Sequence, residues 1–454
     1  MRRFIVEGSR WFFLAVLIYA PWAYGSTRPW TVQVLKVLMA AVVLTWLLGC
    51  GLRRKWPRIN GVCLSCVLLL LCVGWWMVLN AKGHYDSQKA FLEKLEPLWN
   101  DAAGTIEKGA SLSAMQRISG LLGILCLASD LMQRPIWRIR TWWTMGLTGL
   151  SVILFGLVER IAGAPMIFWE PERIGTTFFG TYFYHANAGA FINLVLPLIF
   201  GLAVVAMRPR GADSQRMLWV PAVLVCLAGA FVNVSRAAQV VTAIITIILI
   251  SGRLSSWLKG GRNISGRTSL VYACLALIAL VAIGGIGWIS VAPRWHKFSW
   301  EIWDLNGRTF ALRAGSRMIP DAGVMGFGPG TFEIGFPFYL NPEDFTHPED
   351  AEWHWRYAHD DYLQTVIEWG WAGFGVCAVL FGGGVVCGLT TFFRGKSILP
   401  TSDRVLLFAS VTALFGIAVH ALVDFPLQIA SLQLYAAVLL GTCWGSRQWL
   451  SAKN

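Results

Sequence analysis

Long apolar runs separated by short polar segments dominate the chain. Twelve of them approach the roughly 20 residues that an α-helix needs to cross a hydrocarbon core about 30 Å thick. They fall at residues 11–25, 31–51, 60–80, 117–133, 141–159, 187–207, 217–233, 237–252, 268–289, 366–390, 405–423 and 430–445. The pattern predicts an all-α polytopic membrane protein with about twelve transmembrane helices, residues 1–454 forming a single integral membrane domain. Three connections on one side are longer than the rest, at residues 81–116, 160–186 and 290–365. The third lies between spans nine and ten. Its first half, GRTFALRAGSRMI, predicts a short helix opening after Asp304 to Gly307 and closed by Pro320. Its second half, with PED at 342–344 and again at 348–350, reads as irregular.

Composition agrees. Of 454 residues, 56% are hydrophobic and only 14% charged, and the mean hydropathy of +0.56 lies outside the range of soluble domains. The net charge of +13 would point to nucleic acid if it were clustered. Instead the positive residues occupy alternate connections: Arg2, Arg3 and Arg10, then Arg53, Arg54, Lys55 and Arg58, then Arg134, Arg138 and Arg140, and so on to Arg447 and Lys453. By the positive-inside rule both termini are cytoplasmic, and the three long loops face outward. Trp295, Trp300, Trp303, Trp353 and Trp355 suit the third loop to the headgroup layer. All ten cysteines lie in or at the ends of spans, so the outer loops hold no disulfides. Cys63 and Cys66 form a lone C-x-x-C inside an apolar helix, where packing is the better reading than metal. The N-terminus resembles a signal peptide, but with eleven further apolar segments an uncleaved first helix is simpler.

Against this apolar background a few polar residues stand out. Arg236, in FVNVSRAAQVV, leaves almost no connection between spans seven and eight. A guanidinium there either faces a wet cavity or an anion, or snorkels to the outer interface. Arg308 falls in the first turn of the loop helix, where a cation is unfavourable unless an anion docks on the free N–H groups beside it. Arg313 and Arg317 share another face of that helix and suit solvent or headgroups. His359 stands in YAHDDYLQTVIEWGWAG, directly before span ten. An imidazole ordinarily titrates at about 6.5, which suits it to take a hydroxyl proton near neutral pH. With the helix unbroken from His359 at about 100° per residue, Leu363, Val366, Gly370 and Gly373 share its face, and Asp360, Asp361 or Glu368 could orient it or act in its place. His185 and Asn187, in TYFYHANAG, either contact a sugar or cap span six. His420 and Asp424 form an i, i+4 pair on span eleven, read either as a proton relay or as a paired polar spot. Lys36 and Asp130 mark either an ion path or two snorkelling side chains. The GFGPG run at 326–330 lacks the strand and helix of a nucleotide fingerprint and predicts a turn.

Several of these residues fall into a familiar arrangement. HDDYLQTVIEWGWAG resembles the signature of the O-antigen ligase and O-antigen polymerase superfamily, in which a histidine is followed by an amide or hydroxyl residue and, further on, by two glycines. His359, Gly370 and Gly373 match that spacing, and Asp360 departs from the usual residue type. GRTFALRAGSRMIPDAGVMGFGPGTFE is similar to the family's arginine helix and glycine turn, with Arg308 at the arginine. SRAA is similar to its Ser-Arg at an outer helix end, which places Arg236, and ERIGTTFFGTYFYHANAG loosely resembles an earlier loop motif, which places Arg173 and His185. The matches cover about the second half of the chain.

The resemblance implies a bacterial inner-membrane glycosyltransferase whose periplasmic loop, here 290–365, covers the active site. It implies a glycan donor on undecaprenyl diphosphate, a glycan or lipid A-core acceptor, contact with membrane lipids, and neither metal, cofactor nor nucleic acid. His359 would be the general base, and Arg236 and Arg308 would stabilise the leaving diphosphate. Arg173, His185, Asn187, Arg313, Arg317 and Tyr362 would contact substrate. The competing expectation is a polytopic transporter or flippase of a lipid-linked or polar substrate, built around His420, Asp424, Lys36 and Asp130.

Overall fold

The computed structural model describes residues 2–86, 91–171, 177–208, 212–258, 308–341 and 355–450. Span nine, Arg173, Trp295, Trp300, Trp303, Trp353, the segment from Asp304 to Gly307 and both PED sequences lie outside the described residues.

The helices are α1 (Arg2–Trp22), α2 (Pro29–Arg53), α3 (Gly61–Leu79), α4 (Lys108–Leu131), α5 (Pro135–Ile161), α6 (His185–Ala206), α7 (Asp213–Val232) and α8 (Arg236–Leu258). After the undescribed stretch come α9 (Arg308–Ala322), α10 (Asp361–Arg394), α11 (Thr401–His420) and α12 (Ala430–Ser446). Every predicted span outside 268–289 overlaps one of them along most of its length. By length and composition α2 to α7, α10 and α11 can each cross a membrane. The protein is therefore an all-α polytopic membrane protein, with one small exception. The loop at 81–116 contains an antiparallel hairpin, β1 (Gly83–Asp86) paired with β2 (Phe91–Lys94). In the same loop α4 begins nine residues before the predicted start at 117, because the Glu107 carboxylate accepts the backbone N–H groups of Gly109 and Ala110 and caps the helix there. α9 likewise runs past Pro320 to Ala322 and stops at Gly323, whose φ of +55° is left-handed.

Helices α6 and α12 are buried nearly all round, as expected for sequences apolar on every face. In α12, Gly441 and Gly445 form a G-x-x-x-G whose missing side chains let α4 approach. A Cβ at Gly441 would stand 2.9 Å from the Ala128 methyl, and one at Gly445 would meet the Ser129 carbonyl.

The two ends of the bundle differ. At one, connections are tied to one another: Ser431 donates to the Gly25 carbonyl (2.6 Å), Thr181 to the Pro21 carbonyl (2.6 Å) and Ser111 to the Pro329 carbonyl (2.9 Å). The N-termini of α4, α6, α8, α10 and α12 belong to this end. The other end carries the arginines. Arg138 pairs with Asp403 at 2.8 Å and lies 3.8 Å over the Trp449 ring, while Arg140 lies over Trp11 and Trp137.

Helix α9 has its own small core. Phe310, Ala314, Met318, Phe332, Phe336 and Ile367 pack together, fixing the loop helix against the start of α10.

Candidate functional site

His359 is not on a helix. α10 starts at Asp361, and Asp360 is its cap, accepting the N–H groups of Tyr362 (2.8 Å) and Leu363 (3.0 Å). The histidine precedes that cap with φ +56°, a left-handed conformation that costs a non-glycine residue about 1–2 kcal/mol. The expected shared face of Leu363, Val366, Gly370 and Gly373 is thereby corrected, and a second break lies further along. At Gly370 the backbone turns to φ +63°, ψ −179°, a region open essentially to glycine alone. The 323–328 segment fills the gap. Phe327 and Gly328 donate to the carbonyls of Ile367 (3.0 Å) and Glu368 (2.9 Å), and Trp371 and Ala372 donate to those of Gly323 (3.3 Å) and Val324 (3.0 Å). Backbone groups freed by a broken membrane helix need such partners. The motif glycines of α10 and the glycine turn at 326–330 are thus two halves of one junction.

The imidazole stands between rings. Phe425 meets it edge-on at 4.8 Å and Trp355 at 5.6 Å. Its Nδ1 lies 3.3 Å from Asp424 Oδ1, within ion-pair range but outside hydrogen-bond alignment. The imidazole side chain is 19% exposed and the carboxylate 1%. Asp424 also accepts the Phe425 amide (3.0 Å) and the Tyr184 hydroxyl (3.4 Å). Asp361 holds this turn in place. Its two oxygens accept the Leu427 amide (2.7 Å) and the Gln428 side chain (3.0 Å), while its own amide donates to the Ala421 carbonyl (3.0 Å).

Each carboxylate near the histidine therefore has a separate task. Asp360 caps the helix, Asp361 clamps the 421–428 segment, and Glu368 accepts the Gly330 amide (2.7 Å) and the Gln364 side chain (2.9 Å). The group beside the imidazole is Asp424. The placement of His420 and Asp424 together on the helix of span eleven is corrected, since α11 ends at His420 and Asp424 follows it in the turn that faces His359.

Arg236 opens α8 and is half-buried. Its guanidinium makes no ion pair or hydrogen bond among the described residues. The α8 start is pinned to α6: Asn193 donates to the Ala238 carbonyl (3.1 Å), Thr242 donates to Asn193 (2.6 Å), and a side chain at Gly189 would collide with Ala238. Just before α6, Tyr184 stacks on Phe425 at 5.6 Å. The starts of α6 and α8 are thus linked to the imidazole through two aromatic contacts. Arg308 opens α9, though its guanidinium lies outside the described atoms. Two residues on, Phe310 meets Trp355 at 5.8 Å, and Trp355 in turn flanks His359. Helix α9 is thereby joined to the same place.

Among the remaining candidates, His185 is the first residue of α6 and contacts the Thr177 hydroxyl, and Asn187 is buried in the same turn. Arg313 is exposed on α9. Arg317 donates to the Tyr339 carbonyl (3.1 Å) and Tyr362 to the Ala418 carbonyl (2.8 Å), so both have structural partners. Lys36 and Asp130 do not form one path. Lys36 reaches Ser113 and Gln116, whereas Asp130 accepts Trp46 and Arg58. It lies 14 residues further along α4 than Gln116, about 21 Å at the helical rise. Among the described residues no cluster of histidine, cysteine and carboxylate side chains has metal-site geometry.

Fold and site together describe a multi-pass membrane protein with a histidine–carboxylate contact at one end of its bundle. Residues 221–378 match the O-antigen ligase family model, a segment that runs from α7 to α10 and includes Arg236, α9 and His359. The match covers about a third of the chain and agrees with the resemblance in its motifs, and this likeness supports a membrane glycosyltransferase role of ligase or polymerase type. No curated protein matches the chain.

Proposed function

We propose that the protein transfers a glycan from undecaprenyl diphosphate to an acceptor hydroxyl at the periplasmic face of the bacterial inner membrane. The observation that carries this reading is the His359–Asp424 contact, set where the starts of α6, α8, α9 and α10 are linked. A buried carboxylate at Nδ1 favours the tautomer with its proton there and leaves Nε2 as the acceptor. Nε2 takes the proton of the acceptor hydroxyl as its oxygen attacks the anomeric carbon. The bond from that carbon to the diphosphate breaks, and the negative charge of the departing diphosphate falls to Arg236 and Arg308. Their planar forks suit phosphate oxygens better than lysine would, so the step needs no metal. Arg173, His185, Asn187 and Arg313 are proposed to border the glycan. The arginine-rich end of the bundle, with both termini, faces the cytoplasm.

The transporter reading loses one of its pairs, because Lys36 and Asp130 are far apart. In the test, purified protein given a lipid-diphosphate glycan releases undecaprenyl diphosphate, and His359→Ala abolishes release. Undiminished release by that variant would overturn the proposal. Glycolipids of a deletion strain then separate the two roles: single repeat units stranded on the carrier indicate a polymerase, and long polymer indicates a ligase.

A further inference from the structure

The loop that carries His359 is fastened by a contact that involves neither Asp424 nor Asp360. The Ala358 amide, one residue before the histidine, donates to the Gln364 side-chain oxygen at 3.1 Å. The Gln364 side-chain nitrogen donates to Glu368 Oε1 at 2.9 Å, and Glu368 Oε2 accepts the Gly330 amide at 2.7 Å. These hydrogen bonds run in series from the histidine loop, along one turn of α10, to the glycine turn at 326–330. Gln364 and Glu368 stand four residues apart on one face of the helix, and both are buried, as is Ala358.

Both ends of the series are backbone donors, so each end needs an acceptor and the middle needs one donor. An amide followed by a carboxylate meets every contact with a separate atom. Desolvating such a pair is costly, and apolar residues of similar volume would pack the start of α10 at least as well. What they would not supply is direction. His359 has a φ of +56°, and a strained pose of this kind persists only where its surroundings over-determine it. The Asp360 cap fixes the chain after the histidine, and the bond to Gln364 fixes the residue before it. The far end of the series reaches the segment that bridges the break at Gly370.

We propose that Gln364 and Glu368 act together as positioning residues, which lock the loop before α10, and with it the His359 imidazole, to the glycine turn. Neither side chain touches the imidazole; both act through the Ala358 amide. Arg117 borders the same polar cavity of about 170 Å³ as Gln364 and Glu368, so its charge opposes a carboxylate at either position. The fastening stands on the hydrogen bonds alone, while its part in catalysis rests on the transfer reaction proposed above.

The test is amide hydrogen exchange at Ala358, read by mass spectrometry on the full-length protein in nanodiscs, together with the rate of transfer. Gln364→Leu removes both side-chain bonds and should speed exchange about 10- to 100-fold, the worth of a buried hydrogen bond whose donor is left unpaired. Gln364→Glu is closer in shape and should do the same, because two carboxylates then face each other; it decides the matter if Gln364→Leu fails to fold. Combining Gln364→Glu with Glu368→Gln rebuilds the whole series. The new carboxylate accepts the Ala358 amide, and the new side-chain amide donates to it while accepting Gly330. This double variant should restore wild-type exchange. In transfer, each single variant should lower kcat about 10- to 100-fold with KM unchanged, as for a base displaced by about 1 Å, and the double variant should recover it. Unaltered exchange in either single variant, or a double variant no better than the singles, would overturn the fastening. An unchanged kcat alongside fast exchange would overturn the positioning role. A wild-type protein that transfers nothing counts against the reaction and not against the pair, on which exchange then decides.

Discussion

Replacing Gly370 with alanine would put a methyl group against the Val324 carbonyl and 2.5 Å from the Met325 amide nitrogen. Both obstacles are backbone, so neither can rotate away. The φ of +63° with ψ near 180° adds a conformational cost of about 1–3 kcal/mol for any residue with a Cβ. To relieve the clash, the 323–328 segment has to move off α10 and lose some of the four hydrogen bonds that bridge the break. Each is worth about 1 kcal/mol net, more if its groups stay buried and unpaired. Losing two gives a total of about 3–5 kcal/mol, a large share of a typical stability of about 5–15 kcal/mol. The 24 tryptophans make intrinsic fluorescence a suitable monitor of unfolding in detergent micelles. Gly375→Ala is the control, because a Cβ at Gly375, in the same helix, meets nothing within 4 Å. The expectation is a marked loss of stability for Gly370→Ala and almost none for Gly375→Ala. Equal melting of the two variants would refute the role assigned to the break.

Asp424→Asn keeps the shape of the side chain but removes the charge beside the imidazole, and should cut glycan transfer about 10²- to 10⁴-fold, the range of general base catalysis, with little change in melting temperature. A wild-type transfer rate in that variant would dismiss Asp424 as the orienting group. Glu107 offers a test by pH. Burial pushes its carboxyl up, but the amides of Ala110, Gly109 and Tyr85 and the ring of His84 outweigh this and hold it below the usual value. A depressed folded value means stability present above the unfolded carboxylate value, about 4.3, and lost as pH falls through the folded one. Glu107→Gln should therefore cost about 1 kcal/mol at pH 7, a difference that fades in acid; a pH-independent gap would contradict it.

Much of the helical layout was legible because a membrane span announces itself by length and hydropathy alone. Arg236 at an abrupt turn and Arg308 at a helix start were legible for a similar reason, since each is a cation in a place that asks for a justification. Tertiary relations were not. Gly370 was read as a small residue on a continuous face, although its spacing is equally that of a helix break, and only the partner segment at 323–328 distinguishes the two. The i, i+4 distance from His420 to Asp424 placed both on one helix because nothing in the sequence marks the end of α11 at His420. The capping by Glu107 was hidden for another reason: a glutamate is a less usual cap than serine, threonine, asparagine or aspartate. Lys36 and Ser113 sit on different helices, and their contact becomes visible only once α2 and α4 are packed.

The docking of α9 has one more implication. Its apolar side is sealed against Ile367, and the strand of chain that follows it is stitched into the interrupted turn of α10. Arg308 and His359 are therefore mounted on one mechanical unit, whereas Arg236 belongs to another, carried by α6 and α8. Under the proposed transfer, these two separately mounted backbone positions would have to keep their spacing for both arginines to act on one leaving group.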